Sequence, residues 1–384
     1  MNDNNFQDIR AGVIDLCSRF DGNYWRELDQ TRKYPEEFVK SLTKSGYLGC
    51  LIPEKYGGSG LPILAACAIL EEIHRSGGNG AACHAQMYTM ASLLKYGSSE
   101  QKKKYLYKIA TGELRLQAFG VTEPTAGTDT LSISTRAKKI GDQYYINGQK
   151  IWTSRAEYSD LMLLLARTTP REEVKKRTDG LSLFIIDMRK AGKKNLLIRP
   201  IRTMINHATT EVFFDDLRIP EESLIGEEGK GFKYILEGMN AERILIAAEC
   251  IGDSRFFIER SCSYANERII FDRPIGKNQG IQFPIARAYA QTESASLMVH
   301  KACQLFTEKK PCGSEANMAK LLSSEASWKA AEACLQTYGG FGFAEDYDIE
   351  RKFRETRLYQ IAPISTNMIL AYLAQNVLGL PRSY

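Results

Sequence analysis

The chain has 384 residues, 43% hydrophobic and 25% charged, the proportions of an ordinary globular protein rather than a collagen-like, disulfide-scaffold or disordered one. Its 51 Lys and Arg against 46 Asp and Glu leave a net charge of +5 with the two signs interleaved, which argues against a nucleic-acid-binding surface. No run of about 18 apolar residues occurs, so no membrane span is expected.

A chain of this length is expected to hold two or three domains. Residues 1–114 read as a helical domain, because ILAACAILEEIHRSG and AQMYTMASLLKYG carry apolar residues at spacings of three and four. SSEQKKKYLYKIATGE reads as a short capped helix with a solvated basic face, and Gly57, Gly58 and Gly60 in PEKYGGSGLP mark a tight loop. Residues 115–228 change character. QYYINGQKIWTS alternates and contains Asn147-Gly148, a hairpin signal, and LMLLLAR, LSLFIID and EVFFDDLRI are short apolar runs between turns. They imply a middle antiparallel β domain. Residues 229–384 return to helical periodicity, with one long amphipathic stretch over GFKYILEGMN…SYANERI, two further long helices and a last one over STNMILAYLAQNVLG. Short connections between them imply a C-terminal four-helix bundle. The fold class is therefore α+β in the order α, β, α, and this segregation argues against a doubly wound parallel sheet.

The polar opening, MNDNNFQDIR, lacks the apolar core of a signal peptide, and the nine cysteines form no CxxC or Cys/His cluster. Both observations suggest reduced thiols in a cytoplasmic protein, and no metal site is expected. GGSG and GGFG lack the lysine of a phosphate-binding P-loop and follow no strand of a βαβ unit, so neither is a nucleotide fingerprint.

Glu242 stands out, because it shares a helical face with Met239 and Ile246, while Gly238 one turn earlier leaves room for something flat. A carboxylate on an apolar face is costly unless it is paired or functional. Two readings follow: a general base whose proton affinity burial would raise, or one half of an ion pair with a neighbouring helix. Val121–Asp129, VTEPTAGTD, is a polar turn just after a strand, and its amides with the Thr122 and Thr128 hydroxyls suit a planar heterocycle or a carbonyl. Trp152 is either a ring-stacking surface or a core residue. His207, in MINHATTE, reads as an exposed loop histidine.

Six segments, PEKYGGSG, FGVTEPTAGTD, INGQKIWTS, FDDLRIPEESLIGEEGKGF, ANERIIFDRPIGKNQGIQF and QTYGGFGF followed by RKFRETRLYQI, occur in the order and at the spacings of the acyl-CoA dehydrogenase family, which the chain resembles over essentially its whole length. The resemblance implies FAD bound between the β domain and the C-terminal bundle. Phe119, Val121, Thr122, Gly127 and Thr128 then correspond to the strand and turn along the flavin, and Trp152 and Ser154 to further contacts. Arg268, Phe271 and Gln279 correspond to residues that reach the FAD of a neighbouring subunit, and Gln336, Gly339 and Gly340 to the loop at its adenosine and pyrophosphate end. Ser365 and Asn367 fall in the family's Thr-Ser-Gln/Glu run.

The resemblance also implies the reaction. A carboxylate takes the α proton of an acyl-CoA thioester, the β hydrogen leaves as hydride to the flavin, and the electrons pass to an electron-transferring flavoprotein. Many members carry the base where this chain has Pro363; a minority, such as isovaleryl-CoA dehydrogenase, carry it on the earlier long helix as a glutamate followed by arginine, here Glu242 and Arg243. Glu242 is then the catalytic base, Arg243 and Thr128 are substrate-side residues, and the Pro363 side is freed for branched or ring-bearing acyl chains. Met87, Tyr88, Asn240 and Ala241 are candidates for the pocket wall. The shared cofactor sites imply at least a dimer, and a homotetramer by the family's habit. A flavin monooxygenase or oxidase on the same scaffold, or a non-catalytic acyl-CoA-binding homologue, are the other readings open to the sequence.

Overall fold

The computed structural model describes residues 6–382, and its elements follow the α, β, α order that the residue patterns require. The first helices are α1 (Gln7–Ser18), α2 (Gly22–Thr31), α3 (Glu36–Lys44), α4 (Ile63–Arg75), α5 (Ala81–Tyr96) and α6 (Ser99–Ala110). α6 starts where its sequence says it should: Ser98 accepts from Gln101 N, and the Gln101 side chain returns the bond to Ser98 N. The strands are β1 (Leu116–Gly120), β2 (Arg136–Ile140), β3 (Gln143–Ser154), β4 (Leu161–Arg167), β5 (Leu181–Asp187), β6 (Leu196–Pro200), β7 (Thr209–Pro220) and β8 (Leu224–Ile225). Then come α7 (Gly231–Glu267), the small ribbon β9 (Ile269–Ile270) and β10 (Arg273–Pro274), α8 (Gln279–Thr307), α9 (Gly313–Tyr338), α10 (Ile349–Arg357) and α11 (Thr366–Tyr372).

These elements group into two compact units. One holds Arg32–Leu61 and Ala81–Met239; the other holds what is described up to Thr31, Pro62–Gly80 and everything described from Asn240 on.

The first unit is built on a sheet of order β6-β7-β3-β2-β4-β5-β8, with β1 added beside β4. Most neighbours are antiparallel, but β4 runs parallel to both β1 and β2, a mixed pairing that the apolar runs alone do not specify. β4 is buried along Leu161–Ala166 because both of its faces are covered. Leu161, Leu163 and Leu165 point into one cluster with Leu106 and Ile109 of α6, while Met162, Leu164 and Ala166 point into another with Ile146, Phe184 and Val212. Each leucine so buried contributes roughly 1.5–3 kcal/mol.

One expectation fails here. Asn147-Gly148 is not a hairpin turn: β3 runs through it, and the β2–β3 hairpin turns instead at Gly141-Asp142, between the paired Ile140 and Gln143. The left-handed Gly148 (φ 144°) sits at a shift of register against β7, and the Asn147 side chain both donates to Asp216 Oδ1 (2.8 Å) and accepts from Asp216 N (3.0 Å). The same dipeptide chemistry that makes a tight turn here makes a β-bulge.

The second unit is helical. α8 and α9 pack along their lengths, and small residues on α9 (Ala316, Ala319, Ala326, Ala330) allow close approach. Phe256 and Phe257 of α7 join Ala288, Ala331, Cys334, Tyr338 and Ile349 in its apolar cluster. α7 is not amphipathic over its middle: every residue from Ala241 to Ser254 is buried, so packing surrounds it and no polar face is left over. The expected C-terminal helix is α11 followed by a π turn over Leu373–Val377, and the connection from α9 to α11 is not short but carries α10.

The same unit buries a cluster of charge. His74 Nδ1 meets Asp253 Oδ1 at 2.8 Å and its Nε2 accepts from Gly80 N at 2.9 Å, with Glu249 Oε1 at 3.6 Å. Lys352 Nζ pairs with Asp253 at 2.6 Å and Glu355 at 3.2 Å and donates to Gly78 O, while Arg351 donates to Gly77 O and Glu355. A glycine is required at 80, because a Cβ there would lie 2.9 Å from His74 Nε2.

Candidate functional site

In the helical unit, α7 holds Glu242 and Arg243 at 6% and 7% exposure among Ile244, Leu245 and Ile246. Arg243 Nη1 donates to Asn240 Oδ1 at 2.9 Å, while its buried Nε has no hydrogen-bond partner among the described residues. Burial pulls the Arg243 guanidinium below its ordinary pKa, opposed by Glu242, Tyr372 and Cys312. Gly238 does not leave a vacant space: a Cβ there would meet Ser92 Oγ of α5 at 3.2 Å, so the glycine admits Ser92.

Lys320 of α9, fully buried, donates to Ile364 O at 2.6 Å and so ties down the Ile361–Ser365 loop that contains Pro363. Burial, opposed by Cys250 and Glu242 and reinforced by Arg243, brings its ammonium to about 8. Sequence reasoning passed over this lysine, although its position on the stripe Ala316, Lys320, Ser323, Ser327 was a signal. Ser365 uses its Oγ to cap α11 by accepting from Met368 N, and Asn367 in the next turn is exposed.

Farther along this unit a cleft of about 500 Å³ is lined by Tyr264, Arg268, Ile270, Thr337, Gly339 and Gly340, among others. The Arg268 guanidinium lies 5.7 Å from the Phe341 ring centre at its rim. Gly339 (φ 58°) ends α9 in a conformation that favours glycine, and a Cβ on Gly340 would meet nothing, so backbone is open to a ligand there. Gln336 lies one turn before this loop. Phe271 and Gln279 are not part of the lining: Phe271 is 93% exposed at the tip of the β9–β10 ribbon, and Gln279 is exposed at the start of α8.

In the sheet unit, half-buried Phe119 near the end of β1 meets Tyr88 of α5 edge-on, and the chain turns through Val121–Asp129. Glu123 and Ala126 exchange backbone bonds around Pro124-Thr125, and Gly127 and Thr128, which follow, are exposed. Ile151 N donates to Thr122 O at 2.9 Å, so the turn is stitched to β3 beside Trp152. Trp152 is 56% exposed and held at φ 60° in a register shift between Lys150 and Thr153; it is not a core tryptophan. Ser154 pairs with Thr209, and half-buried His207 lies 3.4 Å from Arg155 Nη1, so this histidine is not a free loop residue.

Beneath the turn, Lys150 Nζ donates to Val121 O (2.9 Å) and Glu123 Oε1 (2.8 Å), at 0% and 3% exposure. Ser134 N and Oγ and Thr135 N also donate to the Glu123 carboxylate. Burial would raise the Glu123 pKa, but Lys150 and these donors hold it down at about 2. Residues 123 and 150 are far apart in sequence, and nothing in the pattern pairs them.

An exposed indole beside a polar turn suits one flat ring, and a cleft with a guanidinium, an aromatic ring and bare glycine backbone suits a phosphorylated adenosine. The residues present therefore fit FAD. Sequence models of the acyl-CoA dehydrogenase N-terminal, middle and C-terminal domains match residues 4–113, 118–217 and 229–378. The chain belongs to the acyl-CoA dehydrogenase family. It is similar to an acyl-CoA dehydrogenase of Mycobacterium bovis, 32% identical over 98% of this chain and 97% of that one. The cyclohex-1-ene-1-carbonyl-CoA dehydrogenase of Syntrophus aciditrophicus is 34% identical over 87% of this chain and 80% of its own. Among solved structures, glutaryl-coenzyme A dehydrogenase in its glutaryl-CoA complex superposes with a TM-score of 0.92, at 29% identity over 100% and 98% of the two chains. The acyl-CoA dehydrogenase described here is thus an FAD-dependent oxidoreductase of acyl-CoA thioesters.

Proposed function

We propose that Glu242 is the base of this acyl-CoA dehydrogenase. The observation that carries the reading is a carboxylate at 6% exposure on α7 beside Arg243, in a chain whose position 363 is proline and holds no acid. Glu242 accepts the α proton onto its carboxylate. The electron pair of that C–H bond forms the Cα–Cβ double bond of a trans-2-enoyl-CoA as the β hydrogen departs with its own pair. When bound, FAD supplies the two-electron acceptor for that hydride. Arg243 and Lys320 are buried cations that interact electrostatically with Glu242.

Phe119, Val121, Thr122, Gly127, Thr128, Trp152 and Ser154 form the bed of the flavin ring, and Thr128 and Arg243 also face the substrate. Gln336, Gly339 and Gly340 take the adenosine and pyrophosphate end, and Ser365 and Asn367 the remaining cofactor contacts. Arg268, Phe271 and Gln279 reach the cofactor of a second copy, which the near-complete exposure of Phe271 supports and which requires at least a dimer; the working enzyme is a homotetramer. The electrons pass to an electron-transferring flavoprotein, and the acyl chain is branched or ring-bearing, as the name of the Syntrophus relative supports. The enzyme is cytoplasmic; no helix among the described residues is long and apolar enough to cross a membrane. The chain divides into domains of residues 1–114, 115–228 and 229–384.

The test is anaerobic titration with a panel of acyl-CoAs, following flavin bleaching in the wild type and in Glu242→Gln. The variant keeps FAD and fold and bleaches at least about 10³-fold more slowly. Near-normal bleaching by Glu242→Gln would overturn the assignment.

A further inference from the structure

The buried pair beneath the Val121–Asp129 turn does more than neutralise itself. Lys150 holds the Val121 carbonyl at 2.9 Å, and Ile151 N holds the next carbonyl, Thr122 O, at 2.9 Å. In a trans peptide the C=O and the following N–H point in opposite directions. Gripping Val121 O from within the sheet unit therefore aims the Thr122 N–H away from Lys150. The ammonium is fixed in turn by Glu123, whose carboxylate is anchored through Ser134 N, Ser134 Oγ and Thr135 N at 2.6–2.9 Å. The lysine stem passes Gly120, where a Cβ would lie 3.4 Å from Lys150 Cγ and 3.0 Å from Leu164 Cδ1, so the strand end is shaped to admit it. A fold-only ion pair at this depth has no need to include a backbone carbonyl of the turn.

We propose that Lys150 and Glu123 are positioning residues that present the Thr122 N–H to an acceptor atom on the polar edge of the flavin ring. This rests on the reading of Val121 and Thr122 as part of the flavin bed. A donor aimed at that edge stabilises the reduced, electron-rich ring more than the oxidised one, so loosening it makes reduction harder.

The experiment uses the full-length holoenzyme. Lys150→Met alone strands a buried carboxylate and is expected to be unstable, so the main variant is the charge-free double substitution Glu123→Leu with Lys150→Met. Its bound FAD dissociates about tenfold more readily, measured by flavin fluorescence on dilution, and its midpoint potential moves to a more negative value. Lys150→Arg is the second variant: it keeps the charge, and its wider head alters the grip on Val121 O and shifts the potential in the same direction by less. Unchanged FAD affinity and potential in the double variant overturn the proposal, as does an unchanged potential in Lys150→Arg should the double variant not fold. Trp152→Ala separates the two levels. If it releases FAD while the double variant does not, the positioning role falls and the flavin bed stands; if neither releases FAD, the bed falls too.

Discussion

The two units of this protein bury charge to different ends. In the helical unit, His74, Glu249, Asp253, Arg351, Lys352 and Glu355 come from three helices and link to one another and to the carbonyls of Gly77 and Gly78. In the sheet unit, Lys150 and Glu123 are buried together and fasten one turn. The cluster joins whole elements, and its cost on breaking is spread through the fold. The pair acts on a single peptide group, and its consequence is local. Buried charge by itself is weak evidence for either stability or function; what the charge grips decides which it serves.

The sharpest break in this comparison is Asp253→Asn. It removes the carboxylate that Lys352 and His74 share, leaving Lys352 only Glu355 and His74 only Glu249, and urea unfolding is expected to show a loss of about 3–5 kcal/mol. A loss below about 1 kcal/mol would mean that the cluster is not holding the helices together. Leu163→Ala, in the doubly covered β4, is the apolar counterpart and should cost about 3 kcal/mol by the same assay.

pH separates the two. Although burial opposes the charge, Asp253 and Glu249 outweigh it and Lys352 and raise the His74 imidazole to about 9. A histidine whose folded value lies above its unfolded value of about 6.5 stabilises fully below 6.5 and loses that contribution as the pH rises through about 9. The stability gap between wild type and His74→Gln should therefore narrow by up to about 3 kcal/mol between pH 6.5 and 9, whereas the Leu163→Ala penalty should stay constant. A gap for His74→Gln that does not move with pH would show that the imidazole is neutral throughout. In that state its Nε2 keeps the bond from Gly80 N, which protonation removes.

The helices and strands were legible wherever burial follows a simple period. LMLLLAR is continuous because two faces are covered, and Ser98 with Gln101 announces α6. Glu242 was legible as a carboxylate among apolar neighbours. The turn at Gly141-Asp142 was not, because Asn147-Gly148 carries the stronger local signal and only pairing with Asp216 reveals it as a bulge. Nothing in the sequence marks Arg351 and Lys352 of α10 as buried; Lys352 is matched by Asp253 of α7, and Arg351 by Glu355 and Gly77 O, partners that only the tertiary fold brings together. Lys150 and Glu123 are joined only by the tertiary fold.

The bulge at Asn147-Gly148 has a chemical consequence. An asparagine before glycine ages readily, because the glycine nitrogen can attack the side-chain carbonyl and close an imide ring that opens to aspartate or isoaspartate. In this protein both ends of the Asn147 amide are engaged by Asp216, so the carbonyl is held away from that attack. Were the ring to form, hydrolysis would set a new carboxylate against Asp216 and, in the isoaspartate product, add a methylene to the main chain in the middle of β3, five residues before Trp152. The protein's shelf life at this position is therefore written into a pair of hydrogen bonds, and loss of Asp216 would start its clock.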